Sequence, residues 1–462
     1  MAGRARGAVH VLYRGGVRTP GSQSREILAL AVPAFLALVA EPLFLLADTA
    51  IVGHLGTAQL AGLGVASSIL VTAAGVFVFL AYGTTSVVAR QVGAGDERAA
   101  LASGLDGIWL ALLLGVATAL VVGFAAEPLC GVFGASPEAV GFAATYLRIS
   151  AGGIPAMLAV LAATGALRGF QDTRTPLVAS VLGFGANIAL NLLLVLGLGW
   201  GIAGSAWGTV IAQTGMGVGL VAVVVRRALA GRAPLRPEPG RVLRAATTGV
   251  PLLVRTLALR AILLVTTWVA AGLGDVPLAA HQVAGTIWSF LAFVLDALAI
   301  AGQAITGKAL GAGDVAAVRS ATSTMLRWGV WAGVVLGALL VAVHGVLPAL
   351  FTADPGVREA LGAALVVIGL TSWLSGLVFV ADGVLIGAGD GRWLAGAMAA
   401  TLAAYLPLVL AVRWFTPWLA AQGAPLAVAV LWVVFTAFMA IRWAFLWYRV
   451  RGDGWLVAGA SR

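Results

Sequence analysis

The chain has 462 residues, of which 61% are hydrophobic and only 10% charged, with a mean hydropathy of +1.02. A water-soluble domain carries roughly 25% charged residues, so this composition excludes water as the main solvent. The net charge of +10 would suit nucleic acid on a soluble domain, but here the basic residues fall in loops between apolar runs.

A helix needs about 20 apolar residues to cross a bilayer. Runs of that kind predict helices over Leu28–Val52, Leu60–Ala89, Leu105–Ala126, Val140–Leu167, Pro176–Leu198 and Gly204–Val225. After a basic, proline-bearing stretch they resume over Thr247–Gly272, Leu278–Thr306, Met325–Val346, Val357–Ile386, Leu394–Phe415 and Leu426–Tyr448. Transmembrane barrels alternate polar and apolar residues in short segments, and these runs do not. The expected class is an all-α integral membrane protein with twelve transmembrane helices. Residues 1–26 are basic without an apolar core, so they read as a surface tail and not a signal peptide. The expected divisions are a first lobe over 27–226, a linker over 227–246, a second lobe over 247–448 and a tail over 449–462.

Arginines orient the helices. One set of alternate loops holds Arg25, Arg90, Arg98, Arg168, Arg174, Arg226, Arg227, Arg241, Arg244, Lys308, Arg319, Arg392, Arg449 and Arg451. The opposite loops, around Thr57, Pro137, Gly199, Asp275, Pro355 and Gln422, are nearly free of them. Positive charge stays in the cytoplasm, which predicts a multi-pass protein of the cytoplasmic (inner) membrane with both termini cytoplasmic. A single cysteine, Cys130, excludes an intramolecular disulfide and a cysteine-based metal site.

The two halves repeat. Pro33 matches Pro251, the loop from Gly93 to Asp96 matches that from Gly311 to Asp314, and Gly165, Gly169 and Asp172 match Gly383, Gly387 and Asp390. The spacing is constant, since 251 minus 33 and 390 minus 172 both give 218. Six helices repeated as six imply two lobes related by a parallel internal duplication, a common plan for secondary transporters. The Gly-Ala-Gly-Asp loops lack the Lys-Ser/Thr ending of a phosphate loop, so they read as tight turns.

The stretch Ala47-Asp48-Thr49-Ala50-Ile51-Val52-Gly53-His54-Leu55-Gly56 resembles the first-helix motif of the multidrug and toxic compound extrusion (MATE) family. Leu167-Arg168-Gly169-Phe170-Gln171-Asp172 and Ala279-Ala280-His281-Gln282 support the resemblance. Arg255, the run Leu295 to Ala301 and the run Asp382 to Gly387 are similar to the DinF-like branch. The resemblance implies a two-lobe bundle that expels organic compounds by antiport with H+ or Na+.

A charge at mid-bilayer costs about 3 kcal/mol or more, so each intramembrane charge asks for a reason. Glu41 and Asp48 lie seven residues apart, on one face of the first helix. A carboxylate there carries a desolvation cost that a bound proton or cation relieves. Pro42 between them cannot donate to the Leu38 carbonyl and is the expected hinge. Asn187 and Asn191 share a face of the fifth helix and are expected to orient Asp48. Members of the resembled family often carry an acid where Asn191 stands. In the second lobe Arg255, Arg260, Asp296 and Asp382, two positive and two negative, form an expected neutral charge network. Tyr82, Tyr146, Trp207, Trp268, Trp288, Trp373 and Tyr405 are candidates to line a cavity.

The expected function is a secondary active antiporter exporting cationic or neutral drug-like compounds in exchange for H+ or Na+ by alternating access. The alternative is a flippase for a lipid-linked precursor. No enzyme is expected: the four histidines are scattered and no His-Glu-x-x-His pattern occurs. No cofactor or metal is expected beyond the coupling ion. The expected partners are a small organic substrate and the lipid bilayer, with no nucleic acid, and the protein is expected to work as a monomer.

Overall fold

The computed structural model describes residues 20–461, and for residues 20–23 and Glu41 the backbone alone. The basic tail expected over 1–26 therefore lies outside the described residues as far as residue 19. The first half contains α1 (Pro20–Gly53), then α2 (Thr57–Phe77), which passes through Val78 into α3 (Phe79–Gly93). It continues with α4 (Glu97–Phe124), the short α5 (Ala126–Gly131), α6 (Pro137–Ala151), α7 (Ile154–Gly169), α8 (Arg174–Asn191) and α9 (Gly201–Ala230). The second half contains α10 (Pro239–Leu273), α11 (Asp275–Gly311), α12 (Val315–Val343), α13 (Pro355–Gly387), α14 (Gly391–Trp414), the short α15 (Thr416–Gln422) and α16 (Ala424–Arg451). Among the described residues eleven helices are long and apolar enough to span a membrane, or twelve when α6 and α7 are taken as one span bent by 53°. No strand occurs among the described residues.

Lipid and core divide the apolar residues by size. Large side chains such as Leu113, Val121, Leu182, Leu264 and Trp331 face outward, each more than 60% exposed, which suits a surrounding hydrocarbon. Small residues occupy the helix contacts, because lipid offers no hydrophobic drive and close backbone packing supplies the attraction. Gly329, Gly333 and Gly337 of α12 lie against the backbone of Gly376, Ser372 and Gly369 of α13, so a Cβ at any of the three would fall within 2.6 Å of it.

The duplication is visible in contacts as well as in letters. Asp96 caps α4 at Ala99, and Asp314 caps α12 at Ala317. Asp172 binds Arg227 at the end of α9, and Asp390 binds Arg449 at the end of α16. The departures from symmetry are local. The stretch expected as a linker over 227–246 is outside helix only between α9 and α10. The segment after α16 folds back onto the Arg-rich end: Trp455 is 1% exposed, and the Gly459 amide donates to Leu310.

Candidate functional site

Asp48 lies in the last two turns of α1 and is 2% exposed. Its place is fixed by packing on α8, where Phe44, one turn earlier, stacks on Phe184 with ring centroids 5.3 Å apart. The same faces then bring Asp48 to Asn191, whose Nδ2 donates to the Asp48 Oδ1 at 2.7 Å. That Nδ2 also donates to Asn187 Oδ1 at 2.9 Å, and Asn187 Nδ2 donates to Thr209 Oγ1 at 3.1 Å. A second donor reaches Asp48 from α9, where Ser205 Oγ lies 2.6 Å from Oδ1. Tyr146 of α6 completes the ring of partners around the carboxylate. Gly208 admits the close approach of α8 and α9, since a Cβ there would fall 2.0 Å from Asn191 Oδ1.

The site is therefore one acid on α1 among neutral donors from three other helices of the same lobe. No arginine or lysine pairs with Asp48 among the described residues. Asn191 Oδ1 is buried without a partner, leaving acceptor capacity beside the carboxylate. After Asn191 the chain widens into a π-helical turn over Leu192–Gly197, an irregularity that recurs at functional sites. A buried acid so arranged can exchange its charge for a proton, after which the hydrogen bonds to Asn191 and Ser205 must be remade.

The structure brings Asp48, Asn187 and Asn191 together. Glu41 sits on α1, but its side chain lies outside the described residues. Pro42 is inside α1, which stays helical from Pro20 to Gly53; the lobe also has a bend of 53° between α6 and α7. The sequence reading missed Ser205, Thr209 and the role of Tyr146. Ser205 and Thr209 are four apart on one apolar helix, the same signal that singled out the two asparagines. Among the other aromatic candidates, Trp207, Trp268 and Trp373 are 44% exposed or more. Tyr405 is buried on Thr266, and Trp288 packs edge-on against Phe435.

The second-lobe charges are grouped differently from the expectation. Asp382 accepts two bonds from Arg255 and a further one from Arg442 of α16 at 3.0 Å. Arg442 was hidden in the last apolar run and was not anticipated. Arg260 is not part of this group; it points across to Gly75 of α2. Asp296 forms no ion pair with Arg255 or Arg260, and its charged neighbours include Arg168 of α7, with the Tyr82 hydroxyl in reach. Arg168, counted above as a loop charge, is 9% exposed and faces the other lobe.

Comparison with known proteins agrees with this architecture. The MatE family profile matches residues 33–193 and 251–415, once in each half. The chain is 34% identical over 387 residues to Protein DETOXIFICATION 44, chloroplastic, of Arabidopsis thaliana, covering 80% of this chain and 73% of that one. It is 28% identical over 452 residues to DNA damage-inducible protein F of Escherichia coli (strain K12), covering 95% of each. In fold it matches the Vibrio cholerae MATE transporter VcmN in the bent form, with a TM-score of 0.82 at 21% identity over 93% of this chain and 98% of that one. An outward-facing multidrug resistance MATE family transporter gives a TM-score of 0.80 at 22% identity, covering 93% and 96%. The duplicated twelve-helix frame and the profile match in both halves show that this chain belongs to the MATE family, whose members are transporters and not enzymes.

Proposed function

We propose that the chain is a secondary active antiporter that exports a small organic compound in exchange for H+ or Na+. Asp48 carries the coupling ion, with Asn191 and Ser205 as hydrogen-bond donors to it, Asn187 orienting Asn191, and Glu41 assisting. The lobes over 27–226 and 247–448 alternate about the linker as a monomer in the cytoplasmic membrane, with both termini cytoplasmic. The observation that carries this reading is the burial of Asp48, 2% exposed, among neutral donors alone. A structural carboxylate at that depth would be paired with a cation, because an unpaired buried charge is costly. Left unpaired, Asp48 gains by taking up a proton or cation and gives one up when its surroundings change.

Neutralising Asp48 alters the bonds that join α1 to α8 and α9, so two packings respond differently to the ion, which coupling requires. The test is gradient-driven export from proteoliposomes by the Asp48→Asn and Glu41→Gln variants at matched protein content. Asp48→Asn is expected to insert and fold but to lose gradient-driven export. Wild-type rate and wild-type pH dependence in Asp48→Asn would sink the assignment.

A further inference from the structure

The chain after α16 is pinned along its length. Gly452 turns it out of the helix in an extended conformation, and Arg449 donates back to the Gly454 carbonyl at 3.1 Å. Trp455 is buried, with its Nε1 donating at 3.2 Å to the Val450 carbonyl, one of those left open at the helix end. Asp453 pairs with Arg319 of α12. Gly459 presents its amide to the Leu310 carbonyl at 3.0 Å from a φ of 113°, a conformation that favours glycine. All of these contacts fix the segment on the second lobe. A further one crosses the junction: Arg90 of the first lobe donates through Nη2 to the Val457 carbonyl and through Nη1 to that of Ala388 at 2.9 Å. Leu310 adjoins Gly311, which packs on the Arg90 backbone, so the segment lies beside a contact between the lobes.

The duplication does not call for this arrangement. Leu235, equivalent to Asp453 by the same offset (453 minus 235 gives 218), follows α9 and stays against α4 of its own lobe, its carbonyl accepting from Trp109 at 3.2 Å. Arg90 is 2% exposed, and a buried guanidinium must find acceptors for its N–H groups. It takes two of them from the other lobe, so the lobes cannot part at this end while both bonds hold. We propose that residues 453–459 are a strap that keeps the Arg-rich side shut, and that this side opens only when the Val457 carbonyl releases Arg90. The acceptor suits a contact that breaks in each cycle. A buried carboxylate would be costly to separate from its arginine. A backbone carbonyl and a guanidinium freed at the membrane surface both return to water. The strap thus sets the balance between the two faces of the transporter without touching cargo or coupling ion, and it stands apart from the assignment of Asp48.

Two substitutions loosen the strap at different points. Gly459→Pro removes the amide that bonds Leu310 and cannot take the backbone angle found there. Trp455→Ala removes the buried anchor. Neither residue belongs to a membrane-spanning helix. The reporter is Ser86→Cys, at a site that bonds the Gly387 carbonyl across the junction at 3.2 Å. Its rate of maleimide labelling in detergent-solubilised protein follows the fraction of molecules open at this end. The native Cys130, buried in the first lobe, is the control for unfolding, and mass spectrometry of the peptides reads the two thiols separately. Each strap variant should label Ser86→Cys about tenfold faster than the parent, the equivalent of one charge-assisted hydrogen bond, with Cys130 unchanged. Should Trp455→Ala melt early, Gly459→Pro decides alone. Equal labelling of Ser86→Cys in the parent and in Gly459→Pro would overturn the strap. So would a rise matched at Cys130, which marks loosening within a lobe and not the parting of two.

Discussion

At the residue scale, the acids of this protein are set apart by what faces them. Asp172, in the turn between α7 and α8, is partly buried, which disfavours its charge. The Thr175 backbone amide, the Thr175 hydroxyl and Arg227 outweigh that cost and hold its carboxyl below the usual range. A carboxylate whose folded value is depressed stabilises the fold above its unfolded value of about 3.9 and loses that contribution as pH falls through the folded value. Asp172→Asn should therefore lower stability at pH 7 by roughly 1–2 kcal/mol, a figure kept small because Arg227 is partly solvated. The deficit in thermal melts of detergent-solubilised protein should hold between pH 5 and 7 and close below about pH 4. A deficit that grows on acidification would show the sign to be wrong. Asp48 differs in every respect: it has no cation, it lies deep in a lobe, and its partners are neutral. The same residue type is thus a fixed staple in one place and, in the mechanism proposed above, an exchangeable charge in the other.

At the element scale, the informative feature is where one repeat bends and the other does not. The fourth span of the first lobe breaks at Gly152 and Gly153, followed by Pro155, which lacks an amide proton. The residues 218 further on, Leu370, Thr371 and Trp373, lie inside the unbroken α13 (370 minus 152 and 373 minus 155 both give 218). A glycine pair before a proline is a sufficient cause of a kink. Tyr146, a partner of Asp48, lies on the α6 side of this bend, so straightening it would move one wall of the site. Pro155 stands in the first turn of α7, where proline is tolerated. Pro155→Ala should therefore change stability by less than about 1 kcal/mol, yet slow export several-fold. An unchanged export rate in proteoliposomes would remove the bend from the mechanism. Helix count, lobes and the shared face of Asn187 and Asn191 that meets Asp48 through Asn191 were legible in the sequence, because apolar length, a fixed offset and four-residue spacing are local signals. The partners Ser205, Arg168 and Arg442 were not, because each is brought into place by a helix distant in sequence. The bend escapes a reading by apolar length alone, which gives one span over Val140–Leu167; its local signal is the glycine pair and proline within that run.

At the scale of the whole molecule, the lobes close on the Arg-rich side through a contact that repeats about the pseudo-dyad. A Cβ on Gly93 would fall 1.9 Å from the Lys308 carbonyl oxygen, and one on Gly311 would fall 1.9 Å from that of Arg90. Both glycines and both basic residues are related by the same offset of 218, as 311 minus 93 and 308 minus 90 give. The basic side chains also cross reciprocally: Arg90 donates to Ala388 of the second lobe at 2.9 Å, and Lys308 donates to Gln171 of the first at 2.8 Å. Only Arg90 also holds the C-terminal segment, through the Val457 carbonyl. The closed state thus depends on two backbones passing within reach of each other, a distance that only glycine permits. Gly311→Val should wedge α11 away from α3 and favour the state open on the Arg-rich side, without disturbing either lobe's interior. Its readout is labelling of Ser86→Cys in a Cys130→Ala background. Ser86 is 4% exposed and bonds Gly387 across the junction, so the thiol should resist an impermeant maleimide in the parent. In Gly311→Val it should react when the reagent is on the Arg-rich side only. Equal protection in both proteins, at equal melting temperature, would mean that the reciprocal glycine contact does not control closure.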